Sequence, residues 1–290
     1  MRMKVKQHSG RLGRFSVLLI CLAAFYSPSW GATVELNGFD MYYETAGQGQ
    51  PLLLLHGFTQ VGAEWEPIRD ELASGFRLIV PDLRGHGSST NPSGEFTNRQ
   101  AALDVFALLD HLELERVQAI GFSAGGMTLL HMATQQPDRI SAMVLIGAAP
   151  YYSEQYREVM GNVDPNYVPE ESMQELRGIH KHGDEQIRAL LSQMNGFKDS
   201  YDDMNFTAPY LSTITARTLI IQGDHDRLHP VSIALEMYEA IPQSYLWIVP
   251  NSGHLPIWGP IQQHFLCTAT AFLRDQWQVG TPTTRAKLCE

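Results

Sequence analysis

The chain has 290 residues, 44% hydrophobic and 18% charged, with 24 Gly, 16 Pro and 3 Cys. That is length for one large domain, or for a core domain with a sizeable insertion. The composition excludes collagen-like, coiled-coil and disordered chains, and three cysteines exclude a disulfide scaffold or a multi-cysteine zinc fold. A formal net charge of −10 without a basic patch argues against a nucleic-acid-binding surface.

Residues 1–31 read as a secretory signal peptide. Arg2, Lys4, Lys6, Arg11 and Arg14 precede an apolar run from Phe15 to Tyr26, broken only by Ser16. Small residues at Ser29 and Gly31 then place a cut before Ala32. The run is too short to span the roughly 20-residue bilayer core comfortably; the alternative is an uncleaved anchor. Lipoprotein processing at Cys21 is disfavoured by Ile20, where that signal needs a small residue. Export, periplasmic or secreted, is the expectation. Removing these 31 residues, five of them basic and none acidic, leaves 16 basic and 31 acidic residues and a net charge of −15. Cys267 and Cys289 remain, either to pair and tie the tail to the last helix or to stand as separate thiols.

The body alternates strands and helices. Thr33–Glu44 reads as a β-hairpin turning at Asn37-Gly38. Leu52–His56, Arg77–Pro81, Val117–Gly121, Ile140–Gly147, Thr218–Gly223 and Tyr245–Pro250 are apolar runs suited to strands covered on both faces. Helical patterns lie between them. In Arg99–Leu112, Ala102, Val105, Phe106, Leu109 and Leu112 form one stripe. Ala124–Gln135, Pro230–Ile241 and Ile257–Trp277 are the other clear helices. The predicted class is α/β: a mostly parallel sheet flanked by helices. Tyr151–Ser212 breaks the rhythm with helix-like pieces and no buried strand, and reads as a cap. Core residues 32–150 and 213–277 surround this cap of 151–212, and a polar tail follows over 278–290.

Gly121-Phe122-Ser123-Ala124-Gly125-Gly126 carries the sharpest signal. It joins a buried strand to a helix, where a tight turn throws the Ser123 hydroxyl clear and side chains at Gly121 and Gly125 would collide. A serine hydroxyl needs a base, and the base needs an orienting acid. Among eleven histidines, His254 directly follows a late strand and lies at the same sheet edge. His111, His131 and His264 sit in helical patterns and read as packed or surface residues; His180 and His182 flank Lys181 and read as solvated. The acid lies in Gly223-Asp224-His225-Asp226. Asp226 reaches further along the loop and is preferred, leaving Asp224 to the turn. A metal site from Asp224, His225, Asp226 and His229 is disfavoured by irregular spacing, and no metal or organic cofactor is expected. The amides of Ala124 and Phe58 are the expected oxyanion donors, with Gly57 permitting the turn. His56 reads as a structural hydrogen-bonding residue.

Taken in order, His56-Gly57-Phe58, Pro81-Asp82-Leu83-Arg84-Gly85-His86-Gly87-Ser88-Ser89, the Ser123 turn, Gly223-Asp224-His225-Asp226 and Gly253-His254 resemble the landmarks of the α/β-hydrolase fold superfamily, in its serine-nucleophile group with a helical cap. The resemblance runs from roughly Thr33 to Gln276. It implies a hydrolase, supports Asp226 as the acid, and makes 82–88 a structural loop beside the site. The group holds carboxylesterases, lipases, lactonases, carbon–carbon bond hydrolases, cofactor-free perhydrolases and acyltransferases; relatives that open epoxides or remove halides use Asp where Ser123 stands. One departure is Leu255-Pro256-Ile257-Trp258, where the group often has an acidic residue and Pro, so Trp258 is expected to line the pocket.

The insertion is rich in aromatic and methionine residues, among them Tyr151, Tyr156, Met160, Met194 and Phe197. They either line an adaptable apolar pocket or pack the cap; Tyr151 is expected at the pocket. The expected substrate is a small or medium uncharged ester or lactone, without nucleic-acid or stable membrane partners. The alternatives are a carbon–carbon hydrolase, a perhydrolase or an acyltransferase.

Overall fold

The computed structural model describes residues 30–277. Eight strands form one sheet: β1 (Trp30–Leu36), β2 (Phe39–Ala46), β3 (Gln50–Leu55), β4 (Phe76–Pro81), β5 (Val117–Phe122), β6 (Ile140–Ile146), β7 (Arg217–Gly223) and β8 (Ser244–Val249). Their order is β1-β2-β4-β3-β5-β6-β7-β8. The β1–β2 and β2–β4 pairs are antiparallel and the remaining pairs parallel. Asn37 and Gly38, at φ 51° and 78°, make the tight turn of the opening hairpin.

Period-two alternation divides each central strand between two cores. Leu53 and Leu55 face one side, with α2 (Asn98–His111), α3 (Ala124–Gln135) and α8 (Val231–Ala240). Leu52 and Leu54 face the other, with α1 (Glu66–Ala73) and α9 (Gln262–Leu273). The chain leaves β3 toward β4 on one side and enters β5 on the other. Ligand crevices form at the carboxyl ends of strands at such a reversal.

Between β6 and β7 lie α4 (Glu154–Gly161), α5 (Glu170–Ile179), α6 (Gly183–Gly196) and the single turn α7 (Ala208–Leu211). Buried Asp203 fastens this cap to the core. Its carboxylate accepts from the Asn98 and Arg99 amides at 2.8 and 3.0 Å, serving the amino-terminal end of α2. Its carbonyl accepts from His131 Nε2 at 2.8 Å.

Three expectations are corrected. The last helix is shorter than Ile257–Trp277: Gly259 adopts φ 71°, Pro260 opens a 3₁₀ turn, and Asp275 at φ 57° ends the run. β8 is an edge strand and half-buried, because one neighbour and fewer helices cover it. Helix α1 is additional, short, and anchored by buried Ile68 and Leu72. The cleavage point before Ala32 falls inside β1, whose Trp30 and Gly31 pair with Thr45 and Glu44. The signal segment before Trp30 and the tail after Trp277 lie outside the described residues. Cys267 is disulfide-bonded; Cys289 is likewise outside that range.

Candidate active site

The turn after β5 holds Ser123 at φ 49° and ψ −115°, a conformation that L residues rarely adopt. Its amide donates to the Ile146 carbonyl at 2.8 Å, which fixes the turn to β6. The flanking glycines are sterically required. A Cβ on Gly121 would come within 2.6 Å of the Gly125 carbonyl, and one on Gly125 would land on the Leu55 carbonyl. Strand and helix therefore approach more closely than any side chain allows, and the serine projects from the crest.

His254, in the loop after β8, reaches this crest. Its Nε2 accepts from the Ser123 hydroxyl at 2.9 Å, and its Nδ1 donates to Asp226 Oδ2 at 2.7 Å. Asp226 is buried at the end of β7. Burial drives its carboxyl upward, but the bond and charge of His254 and the Leu228 amide outweigh that and hold it below the usual carboxylate range. Gln222 Nε2 also donates to Oδ2, at 2.6 Å. Asp224 stands outside this chain. It accepts from the Ser252 amide at 3.0 Å and from His225, and these bonds lower its carboxyl to about 2. It clamps the β7 loop to the β8 loop. Asp224 and His225 pair with each other, and among the described residues no group of three metal-ligating side chains converges.

Phe58 follows β3 and lies beside the crest. A Cβ on Gly57 would stand 3.6 Å from Ser123 Cβ, so the β3 turn and the serine turn are in contact. The Phe58 and Ala124 amides have no acceptor among the described residues. Buried His56 braces the turn: Nδ1 donates to the Gly57 carbonyl at 2.8 Å and Nε2 accepts from the Leu83 amide at 2.9 Å. Burial lowers its pKa and keeps it neutral.

The cavity above Ser123 measures about 500 Å³. Its walls include Phe58, Phe122, Tyr156, Met160, Met194 and Trp258, together with Gln60 and Glu64. Trp258 lies where expected. Tyr151 does not: its hydroxyl donates to Glu236 at 2.9 Å, and Tyr156, one turn into α4, lines the cavity instead. A bridge to Asn205 holds Tyr151 in an extended segment that turns it away. Of the insertion's aromatic and methionine residues, Tyr156, Met160 and Met194 reach the cavity, while Phe197 and Tyr152 pack the cap. Glu64 and Gln60 escaped the sequence reading; a loop Gln and Glu four residues apart carry no signal until the turn after Gly57 curls them inward.

His180 is a further correction. Expected in solvent, it is buried where α5 meets the loop after β4. The Gly87 amide donates to its Nδ1 at 2.9 Å, and its Nε2 donates to the Thr59 carbonyl at 3.2 Å. Burial lowers its pKa to about 4.

Comparison with known proteins agrees with this architecture. The family model of the alpha/beta hydrolase fold matches residues 50–172. The chain is similar to the soluble epoxide hydrolase of Corynebacterium sp. (strain C12), 39% identical over 115 residues, 40% of each chain. That alignment thus spans less than half of the relative. The chain is also similar to the 2-hydroxymuconate semialdehyde hydrolase of Pseudomonas sp. (strain CF600), 26% identical over 251 residues, covering 79% of this chain and 88% of that one. Among solved structures, the enol-lactonase of Burkholderia xenovorans LB400 superposes with a TM-score of 0.67 at 23% identity, covering 84% of this chain and 100% of that one. By its sheet order, its motif order and these likenesses, the chain has the α/β-hydrolase fold.

Proposed function

We propose that the protein is a serine hydrolase of neutral carboxylic esters or lactones. The observation that carries this reading is the Asp226–His254–Ser123 chain, bonded at 2.7 and 2.9 Å, on the floor of a largely apolar cavity. Ser123 attacks the acyl carbonyl while His254 Nε2 takes its proton. Asp226 holds the imidazole with Nδ1 protonated and stabilises the imidazolium. The Phe58 and Ala124 amides receive the developing oxyanion, and the helix α3 amino terminus favours that charge. His254 returns the proton to the leaving alcohol; water, activated by the same base, then releases the acid.

The acyl group is read as uncharged because, among the described residues, no Lys or Arg lines the cavity. Two of the cap's cations are committed elsewhere, Arg157 to the carbonyls of Lys198 and Ser200 and Arg177 to Glu170 and Asp184. The likeness to the 2-hydroxymuconate semialdehyde hydrolase favours a second reading, in which the same triad cleaves a carbon–carbon bond. A muconate-type carboxylate would find no Lys or Arg in this cavity among the described residues, which places that reading second. Export belongs to the proposal as well; cleavage before Ala32 would leave β1 its pairs from Ala32 with Tyr43 onward, and the amino-terminal sequence of the mature protein tests it.

Ser123→Ala is expected to abolish p-nitrophenyl ester turnover and labelling by a fluorophosphonate; unchanged turnover overturns the assignment. A panel of esters, lactones and vinylogous diketones ranks the two readings, and added alcohol reveals acyl transfer.

A further inference from the structure

Two polar side chains line the cavity without a part in that chemistry. Gln60 and Glu64 lie on the turn that follows Phe58, four residues apart, and both line the cavity. Glu64 Oε2 accepts from the Gly57 amide at 3.0 Å, one residue before the Phe58 amide. Its Oε1 and the Gln60 side-chain carboxamide have no partner among the described residues, and both side chains are part-exposed to the cavity.

We propose that Glu64, with Gln60 beside it, is the specificity-determining wall of the site: it takes a hydrogen-bond-donating group of the substrate, a hydroxyl or an amine, and rejects substrates bearing a free carboxylate. The inference deepens the hydrolytic reading and rests on it. A second carboxylate in this cavity would meet a like charge in partly desolvated surroundings with no Lys or Arg among the described residues to offset it. A hydroxyl or ammonium group instead satisfies the idle Oε1, and the remaining walls bury the apolar part of the molecule.

The charge state of the wall changes near neutrality. Burial raises the Glu64 carboxyl to about 7, against the opposing bond from Gly57. The titratable groups around it are His254 and Tyr156 across the cavity, His56 at the end of β3, and Asp82 at the end of β4. Asp82 is engaged by the Gly62 and Ser88 amides, each at 2.8 Å, and Arg69 pairs with Glu44 and Glu66. None of them supplies a free cation to Glu64. Below neutrality the wall is a neutral acid; above it, an anion.

The test compares kcat/KM for two esters that differ in one terminal methyl and one charge, p-nitrophenyl methyl succinate and p-nitrophenyl hemisuccinate, in wild type and Glu64→Gln. Glutamine keeps an acceptor for Gly57 and removes the charge. A second pair, p-nitrophenyl heptanoate and 6-hydroxyhexanoate, probes the donor preference. Wild type is expected to favour the neutral succinate by at least about tenfold above neutrality, with the ratio shrinking below it. Glu64→Gln is expected to flatten that pH dependence, cut the ratio about fivefold or more, and lose the preference for the hydroxy ester. A ratio that is flat with pH in wild type, which needs no variant to fold, overturns the inference; so does a ratio unchanged in Glu64→Gln. Turnover of the neutral ester in either case leaves the hydrolytic reading standing. A wild-type protein that hydrolyses none of the four and resists fluorophosphonate overturns that reading, and this inference with it.

Discussion

Two aspartates stand two residues apart after β7, and their surroundings divide their work. Asp226 is 7% exposed and aims Oδ2 at His254, whereas Asp224 faces solvent and grips the Ser252 amide. Asp226→Asn is expected to lower kcat by about 10³- to 10⁴-fold, since a carboxamide neither fixes the imidazole tautomer nor stabilises the imidazolium. Asp224→Asn is expected to lower the melting temperature while kcat stays within about fivefold of wild type, because its bonds serve the backbone and not the imidazole. Steady-state kinetics with thermal denaturation separate the two. Gly125→Ala is expected to destabilise by about 2 kcal/mol or more, because its methyl would strike the Leu55 carbonyl and the strand has no room to yield. The placement of Ser123 and Gly125 was legible from spacing, because a strand-to-helix turn restricts which residue types fit, and that of His254 from its position directly after a late strand. Tyr151 was misplaced because a bridge to Asn205, more than fifty residues away, holds it in an extended segment ahead of α4 and turns it from the cavity.

Among the elements, the junction of α5 and α6 is the working seam. His180 bridges the Gly87 amide and the Thr59 carbonyl, the Lys181 amide donates to the Gly87 carbonyl at 3.0 Å, and Gln186 Nε2 donates to the Gly85 and Gly87 carbonyls. Thr59 holds φ 64°, a strained value for a β-branched residue, directly after Phe58. The cap thus presses on the segment that carries Phe58, the proposed oxyanion donor. His180→Phe fills the space but orphans the Gly87 donor and the Thr59 acceptor. It is expected to cost about 1–3 kcal/mol, read by chemical denaturation. It should also lower kcat more than it raises KM, since the Thr59 backbone relaxes. A change in KM alone would place His180 with substrate access. In the sequence this histidine sat beside Lys181 and His182 and looked solvated; hydrogen bonds spanning 93 and 121 residues are invisible to local pattern.

For the whole molecule, buried neutral histidines set the acid limit. Burial lowers His229 to about 3 and His180 to about 4, and lowers His56 and His86 as well. Each has a folded pKa below its unfolded value, near 6.5. The unfolded chain therefore binds more protons between those values, and stability falls as pH drops below about 6.5. Glu64 runs the other way: its raised pKa of about 7 favours the fold below the unfolded carboxylate value, and that contribution fades as pH rises through neutrality. The histidines outnumber it and lie deeper. The net expectation is a loss on the order of a few kcal/mol between about pH 7 and about pH 5, measured by urea titration at each pH. A flat profile would mean that these imidazoles are hydrated in the fold.

The division between sequence and tertiary structure follows the range of the forces. Strand and helix periodicity, the glycines around Ser123, the order of serine, acid and base, and the position of the insertion were all readable along the chain, because sterics and local burial act over a few residues. The choice of Tyr156 over Tyr151, the burial of His180, the edge position of β8, and the inward turn of Gln60 and Glu64 were not. Each depends on which distant surface covers a side chain, and only the packed sheet and cap bring those surfaces together.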